Sequence, residues 1–97
     1  MKVVYLSGKI TGLSEEEYKK AFNKAETKLK EFGYRVINPA RKGVIPGYEW
    51  EDYMRDCIKD LCDADLLYHL PNWEDSKGAK LEHEIAIKLK IPVLEIL

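Results

Sequence analysis

The sequence has only two cysteines, Cys57 and Cys62, among its 97 residues. Their spacing matches neither a CxxC redox pair nor half of a zinc site, so thiol redox chemistry and a structural zinc are not expected. Isolated thiols of this kind are typical of proteins from a reducing compartment. We therefore expect reduced cysteines and a cytoplasmic location.

The chain also has little net charge. It carries 16 lysine and arginine residues against 17 aspartate and glutamate residues, a formal net charge of -1 at pH 7. Proteins that bind nucleic-acid polymers usually present a strongly basic surface. A DNA or RNA partner is therefore not expected.

Long apolar runs, internal repeats and low-complexity segments are missing as well. No stretch approaches the ~20 apolar residues of a membrane-spanning helix, and the N-terminal residues lack the pattern of a signal peptide. With 45% hydrophobic and 34% charged residues, the composition is that of an ordinary globular protein. We expect one domain, residues 1–97, with no membrane association.

Hydrophobic periodicity predicts strands and helices that alternate along the chain. Ser14 and Glu17 form the capping box of the first helix, and Gly33 ends that helix. The predicted strands cover residues 2–7, 34–38, 65–70 and 92–97, and the later helices cover residues 50–63 and 78–89. The order β-α-β-α-β-α-β predicts a small, doubly wound, Rossmann- or flavodoxin-like α/β fold with a parallel sheet in strand order 2-1-3-4.

That topology predicts where a ligand binds. Ligands of doubly wound sheets occupy the crevice beyond the carboxyl ends of the strands, where the strand order reverses. Here the reversal falls between the first and third strands. The loops that follow them, residues 8–12 and 71–77, are therefore expected to meet at one crevice.

Glu82 is the most unusual residue near this crevice. On a helical wheel it falls within the apolar arc of the third helix, beside Ala79 and Ala86, about one turn from the helix start. A carboxylate that faces a core costs free energy unless it is paired, hydrogen-bonded or functional. Glu82 either caps or pairs with a structural group, or it is the working residue of the crevice.

Two glycine-bearing loops favour an anionic ligand. Ser76 and Gly78 stand at the start of the third helix, where free N–H groups form a natural anion site. Residues 8–12 (GKITG) form a second loop of this kind. Either loop alone is often a plain turn, but two such loops at one crevice indicate a phosphate.

These residues together resemble a known family. The chain is similar to the nucleoside 2-deoxyribosyltransferase superfamily, and closest in motif to its 2′-deoxynucleoside 5′-monophosphate N-glycosidases, in residues 5–12 (YLSGKITG), residues 38–39 (NP), Asp56 and residues 76–82 (SKGAKLE). The resemblance covers nearly the whole chain. It implies a nucleoside or nucleotide as the small-molecule partner, and a homo-oligomeric assembly.

The resemblance also implies roles for individual residues. Glu82 matches the nucleophile that attacks C1′ of the sugar, and Asp56 matches in spacing an acid that assists departure of the base. Ser76 stands where the transferases have an Asp and the nucleotide hydrolases have a phosphate-binding Ser. Thr11 stands where the hydrolases have an Arg, and Lys9 is the cation that could replace it. The expected substrate-binding residues are Tyr5, Gly8, Lys9, Ile10, Thr11, Gly12, Asn38, Trp73, Ser76 and Gly78.

Other residues have simpler interpretations. Tyr5 either packs in the core or reaches the site from the end of its strand, and Trp73, in a loop, is the best candidate for stacking on a base. Asp56 is as well explained by a solvated helix position. His69 and His83 have no ligand spacing, and the acidic residues near Asp56 are better explained as a polar helix face, so no metal is expected.

The resulting hypothesis is an enzyme that cleaves or transfers an N-glycosidic bond through a Glu82 glycosyl-enzyme intermediate, with no metal or redox cofactor. The alternatives are a non-catalytic nucleotide-binding or sensor module and a ligand-free interaction domain. Base release from a nucleotide separates the first hypothesis from the other two.

Overall fold

The computed structural model describes residues 1–95 and has the predicted alternation of strands and helices. The strands are β1 (Val3–Ser7), β2 (Arg35–Ile37) and β3 (Leu66–His69), and the helices are α1 (Glu15–Glu31), α2 (Trp50–Cys62) and α3 (Lys77–Lys88). Two short 3₁₀ turns, Pro39–Lys42 and Trp73–Asp75, lie in the loops. None of the helices within residues 1–95 combines the length and the apolar character needed to span a membrane.

The local signals of α1 act as predicted. Ser14 accepts a hydrogen bond from the Glu17 backbone N–H at 3.1 Å, and the Glu17 carboxylate accepts one from the Ser14 N–H at 3.1 Å. This reciprocal pair satisfies two backbone donors that the helix start leaves free. Gly33, just past the helix, adopts a φ of 89°, a left-handed conformation that glycine reaches without strain.

The sheet is parallel, with strand order β2-β1-β3. In its register, Val4 of β1 pairs with Val36 of β2 and with Leu66 of β3. The predicted fourth strand, residues 92–97, lies partly outside the described residues, since Ile96 and Leu97 are not among them. Its described part makes an isolated parallel bridge between Val93 and Leu67. The predicted α/β class with a parallel sheet is therefore confirmed. The sheet has three strands among the described residues, and the predicted four-stranded order 2-1-3-4 is not shown.

Side chains of β1 alternate between the two faces of the sheet, so both faces are apolar and both are covered by helices. Val4 and Leu6 pack with Tyr18, Phe22 and Leu29 of α1. On the other face, Tyr5 and Leu67 pack with α2 and α3 residues that include Cys57, Leu61 and Ala86. The doubly wound arrangement thus leaves β1 in the centre, with its carboxyl end between α1 and the α2–α3 pair.

A buried carboxylate anchors the loop after β2. Glu26 of α1 is only 5% exposed and accepts hydrogen bonds from Asn38 at 2.9 Å and from Arg41 at 2.6 and 3.1 Å. Lys30 forms a further ion pair with it at 2.7 Å. Burial alone would raise the pKa of Glu26, but the hydrogen bonds from Arg41, Lys30 and Asn38 outweigh it and lower that pKa to about 2.

This network makes folding stability depend on pH. A carboxyl whose pKa is lower in the folded than in the unfolded chain stabilises the fold above its unfolded pKa, and that contribution is lost as the pH falls toward the folded value. We expect Glu26→Gln to lower the free energy of unfolding by about 2 kcal/mol at pH 7, and the difference from wild type to shrink between about pH 4.5 and pH 2.

Urea unfolding of both proteins at several pH values measures this effect. The exposed Glu31→Gln, at the end of the same helix, is the matched control and should show no such pH-dependent difference. A Glu26→Gln deficit that stays constant down to pH 2.5 would contradict the lowered pKa of Glu26.

Candidate functional site

A cavity of about 410 Å³ lies at the carboxyl end of β1. We call it the main cavity. Its walls come from the end of β1, from α1, from the 3₁₀ turn Pro39–Lys42 and from the first halves of α2 and α3. This is the position that the topology predicts for a ligand, and the volume falls in the range of small-molecule sites.

Glu82 lines the main cavity and is only 5% exposed. The buried residues of α3 are Gly78, Ala79, Glu82 and Ala86, and their helical spacing explains why a carboxylate faces inward at this position. The helical wheel predicts this burial correctly.

Two hydroxyl groups hold the Glu82 carboxylate. The Tyr5 hydroxyl donates a hydrogen bond to Oε2 at 2.5 Å, and the Ser7 hydroxyl donates one to Oε1 at 2.7 Å. Burial raises the pKa of Glu82, and the hydrogen bonds from Tyr5 and Ser7 only partly offset this rise. The carboxyl is therefore held in a fixed orientation, with its charged form less favoured than in water.

The pKa values of Tyr5 and Cys57, like that of Glu82, are raised. Tyr5 is fully buried, and its pKa is raised well above the ordinary value, first by burial and then by the charge of Glu82. Burial also raises the pKa of the Cys57 thiol. Both groups stay protonated at neutral pH, so Tyr5 remains a hydrogen-bond donor to Glu82.

Sequence reasoning missed Ser7, although a signal for it was present. Side chains two apart on a strand face the same side of a sheet, so any argument that brings Tyr5 to the crevice brings Ser7 as well. It also missed Lys42, Met54 and Cys57, which line the main cavity as well.

The two glycine-bearing loops meet at the main cavity, as the topology predicts. Gly8, Ile10, Thr11 and Gly12 line it from one side, and Ser76 and Gly78 line it from the other. Lys9 does not line the main cavity. It lines a neighbouring recess, which we call the side recess, together with Thr11, Trp50, Ser76 and Lys77. Lys77 places its ammonium 4.2 Å from the centre of the Trp50 ring.

Structural demands explain part of each loop sequence. Ser76 caps α3, because its hydroxyl oxygen accepts a hydrogen bond from the Ala79 N–H at 3.1 Å. A Cβ on Gly78 would lie 3.0 Å from the Met54 sulfur, and one on Gly8 would lie 2.9 Å from the Leu70 Cβ. Both glycines thus permit close packing, and both line the main cavity.

Besides Lys9, three predicted site residues do not line the main cavity. Asp56 is half-buried and accepts a hydrogen bond from the Tyr48 hydroxyl at 2.8 Å. Asn38 is buried, where it caps the 3₁₀ turn Pro39–Lys42 through the Ala40 N–H and also contacts Glu26. These contacts give Asp56 and Asn38 structural roles. Direct substrate contact by either residue stays a prediction.

The third of these residues, Trp73, belongs to an aromatic cluster at the end of β3. Its ring stacks on His69 with centroids 3.9 Å apart, and the His69 Nε2 lies 2.8 Å from the His83 Nδ1. Burial, together with the nearby His83, lowers the pKa of His69 to about 4. One face of Trp73 is thus covered by His69, so stacking of a base on Trp73 also stays a prediction.

Comparison with known proteins assigns the chain to a family. The family model described as a domain of unknown function, DUF4406, matches residues 2–95, and the chain belongs to this family. No curated protein matches the chain.

Proposed function

We propose that this DUF4406 domain cleaves the N-glycosidic bond of a nucleoside 5′-monophosphate. The observation that carries the proposal is the Glu82 carboxyl, which is buried, lines the main cavity and is held by hydroxyl groups on both of its oxygens. No other carboxylate lines the main cavity within residues 1–95. A single oriented carboxylate can act as the nucleophile, and the acid–base role that glycosidases also need then falls to another group.

The reaction has two steps. A Glu82 oxygen bonds to C1′ of the sugar while the bond from C1′ to the base breaks, and its electron pair leaves with the base, which takes up a proton. Water then attacks C1′ and releases the sugar phosphate and free Glu82. Transfer takes place instead where a second base attacks C1′.

The surroundings of Glu82 support a phosphate on the substrate. The N-terminus of α3 opens on the main cavity at Ser76 and Gly78, opposite residues 8–12, so backbone N–H groups and the positive end of the helix dipole are available to an anion. Thr11 and Ser76 line both the main cavity and the side recess, and Lys9 lines that recess beside them, so hydroxyl groups and a cation are found near this end.

The second candidate is a nucleotide-binding module that does not turn its ligand over. The position of Asp56 favours it, because this predicted acid contacts Tyr48 and does not line the main cavity. A homo-oligomer is part of the enzymatic proposal, with the exposed Val44 and Tyr48 as contact candidates in the loop after β2. A cytoplasmic location is part of it as well.

Incubation with deoxynucleoside 5′-monophosphates, followed by chromatography for free base, tests the proposal. We expect base release from the monophosphates at least about 10-fold faster than from the matching nucleosides, since a charge-assisted phosphate contact stabilises binding by about 1.5–3 kcal/mol. Ribonucleotides in parallel identify the sugar, and an added second base detects transfer.

The variant Ser76→Asp isolates the contribution of the phosphate. Asp caps a helix as well as Ser does, so α3 is kept, but its charge repels a phosphate. The rate of base release from monophosphates should then fall to about the rate from the matching nucleosides. Equal rates for nucleotides and nucleosides with the wild type would contradict the phosphate site, and binding without base release would favour the module.

A further inference from the structure

Only two charged side chains line the main cavity within the described residues, and they are Glu82 and Lys42. Glu82 has the role of nucleophile in the proposed function. Lys42 has none, although a cation in a substrate cavity has a direct use in the same reaction. As the base departs, negative charge collects on it, and a positive hydrogen-bond donor stabilises that charge.

The fold holds Lys42 in place at this wall. It is the last residue of the 3₁₀ turn Pro39–Lys42, whose start is capped by Asn38 and which Arg41 ties to the buried Glu26. The Lys42 ammonium lies 3.0 Å from Oδ2 of Asp60 on α2, and its side chain is only 28% exposed. Lys42 is thus anchored at both ends, by backbone and by ammonium.

The pKa of the Cys57 thiol responds to both charges. The thiol lines the main cavity, and although burial has the largest effect on its pKa, the charge of Glu82 raises that pKa and the charge of Lys42 lowers it. Both charged groups are therefore close enough to act on one side chain. Glu82 and Lys42 line the same cavity of about 410 Å³, so a nucleoside whose sugar lies at Glu82 would share that cavity with Lys42.

We propose that Lys42, oriented by Asp60, donates a proton to the leaving base. The inference rests on the proposed function. When the bond from C1′ to the base breaks and its electron pair moves to the base, an ammonium proton of Lys42 passes to a base nitrogen. The neutral amine regains a proton from water. Asp60 is the positioning residue, and Lys42 takes the role that the family resemblance implies for Asp56.

Kinetics with two kinds of leaving group test this role. One substrate is a deoxynucleoside 5′-monophosphate, and the other is 2-deoxyribose 5-phosphate carrying 4-nitrophenol, whose anion leaves without a proton. We expect Lys42→Met to lower kcat/KM about 100-fold for the nucleotide, within the range for loss of a general acid, and less than 5-fold for the nitrophenyl compound. Asp60→Asn should show the same asymmetry to a smaller degree.

Controls separate chemistry from folding. Lys59→Met, an exposed change on α2, should leave both rates unchanged. Lys42→Arg keeps the ion pair and the positive charge but is a poor proton donor, so it should restore the melting temperature and only part of the rate. Equal losses for both substrates in Lys42→Met would overturn the inference and leave the ion pair a structural link.

A failure of the proposed function is distinguishable from a failure of the Lys42 role alone. If the wild type releases neither base nor nitrophenol, the glycosidase proposal fails, and the role of Lys42 fails with it. If the wild type is active and Lys42→Met matches it on nucleotides, only the role of Lys42 is overturned.

Discussion

The variant Glu82→Gln should lose at least 1,000-fold (about 4 kcal/mol) in base release and yet fold as stably as the wild type or more so. The amide has nearly the shape of the carboxylate and can still accept hydrogen bonds from Tyr5 or Ser7, whose hydroxyls lie 2.5 and 2.7 Å from the Glu82 oxygens. It cannot form the ester to C1′ that the proposed reaction requires.

The stability half of this prediction follows from the sign of the pKa shift. Burial raises the pKa of Glu82 in the folded chain. A carboxyl with a raised pKa stabilises the fold fully below its unfolded pKa, and this contribution is lost as the pH rises through the folded value. At neutral pH the buried charge therefore has a cost, which a neutral glutamine removes. Lost activity with retained stability is typical of functional residues.

Three measurements check this prediction. Chromatography gives the rate of base release, and thermal unfolding at pH 7 gives the stability. Mass spectrometry of wild type with a slow 2′-fluoro substrate should show a fluorinated sugar 5-phosphate bonded to Glu82 through C1′. The exposed Glu84→Gln on the same helix is the matched control and should change neither rate nor stability. Base release by Glu82→Gln at the wild-type rate would remove Glu82 from the mechanism.

Most of the fold could be predicted because its signals are local. Capping by Ser14, the left-handed Gly33 and the apolar periodicities place each described helix and strand within a few residues of its observed bounds. The final segment is different. Residues 92–97 have the composition of a strand, but pairing depends on a neighbour, and their described part makes only the bridge from Val93 to Leu67.

The site could be predicted in part, for a related reason. Glu82 is recognisable because a carboxylate contradicts the apolar pattern of its helix. Lys42 contradicts no pattern, because its 3₁₀ turn has no periodicity and its orientation comes from Asp60 across the chain. Asp56 lies at the margin of an apolar arc, and this position on the helical wheel does not identify the residue that Asp56 contacts. In the structure that neighbour is Tyr48.

Tyr5→Phe should shift the pH dependence of base release toward higher pH. The Tyr5 hydroxyl donates to Oε2 of Glu82 at 2.5 Å, and this bond opposes the effect of burial on the pKa of Glu82. Without it the charged form is less favoured, so the pKa of Glu82 rises further. In the proposed mechanism the ionised carboxylate is the nucleophile, so we expect kcat/KM to rise with pH through this pKa. The loss should be about 10- to 100-fold on the acid limb of the profile and smaller on the plateau above it, since losing a hydrogen bond to a charged group costs about 1.5–3 kcal/mol.

A pH profile of kcat/KM for wild type, Tyr5→Phe and Ser7→Ala measures this effect, and the two variants should shift the acid limb in the same direction. Tyr53→Phe is the matched control. Tyr53 also lines the main cavity, but its hydroxyl accepts a hydrogen bond from the Ile45 N–H at 2.7 Å and does not contact Glu82. Its acid limb should coincide with that of the wild type, whatever its rate. If the limb of Tyr5→Phe also coincides, Tyr5 orients Glu82 without setting its ionisation, and the raised pKa of Glu82 comes from burial alone.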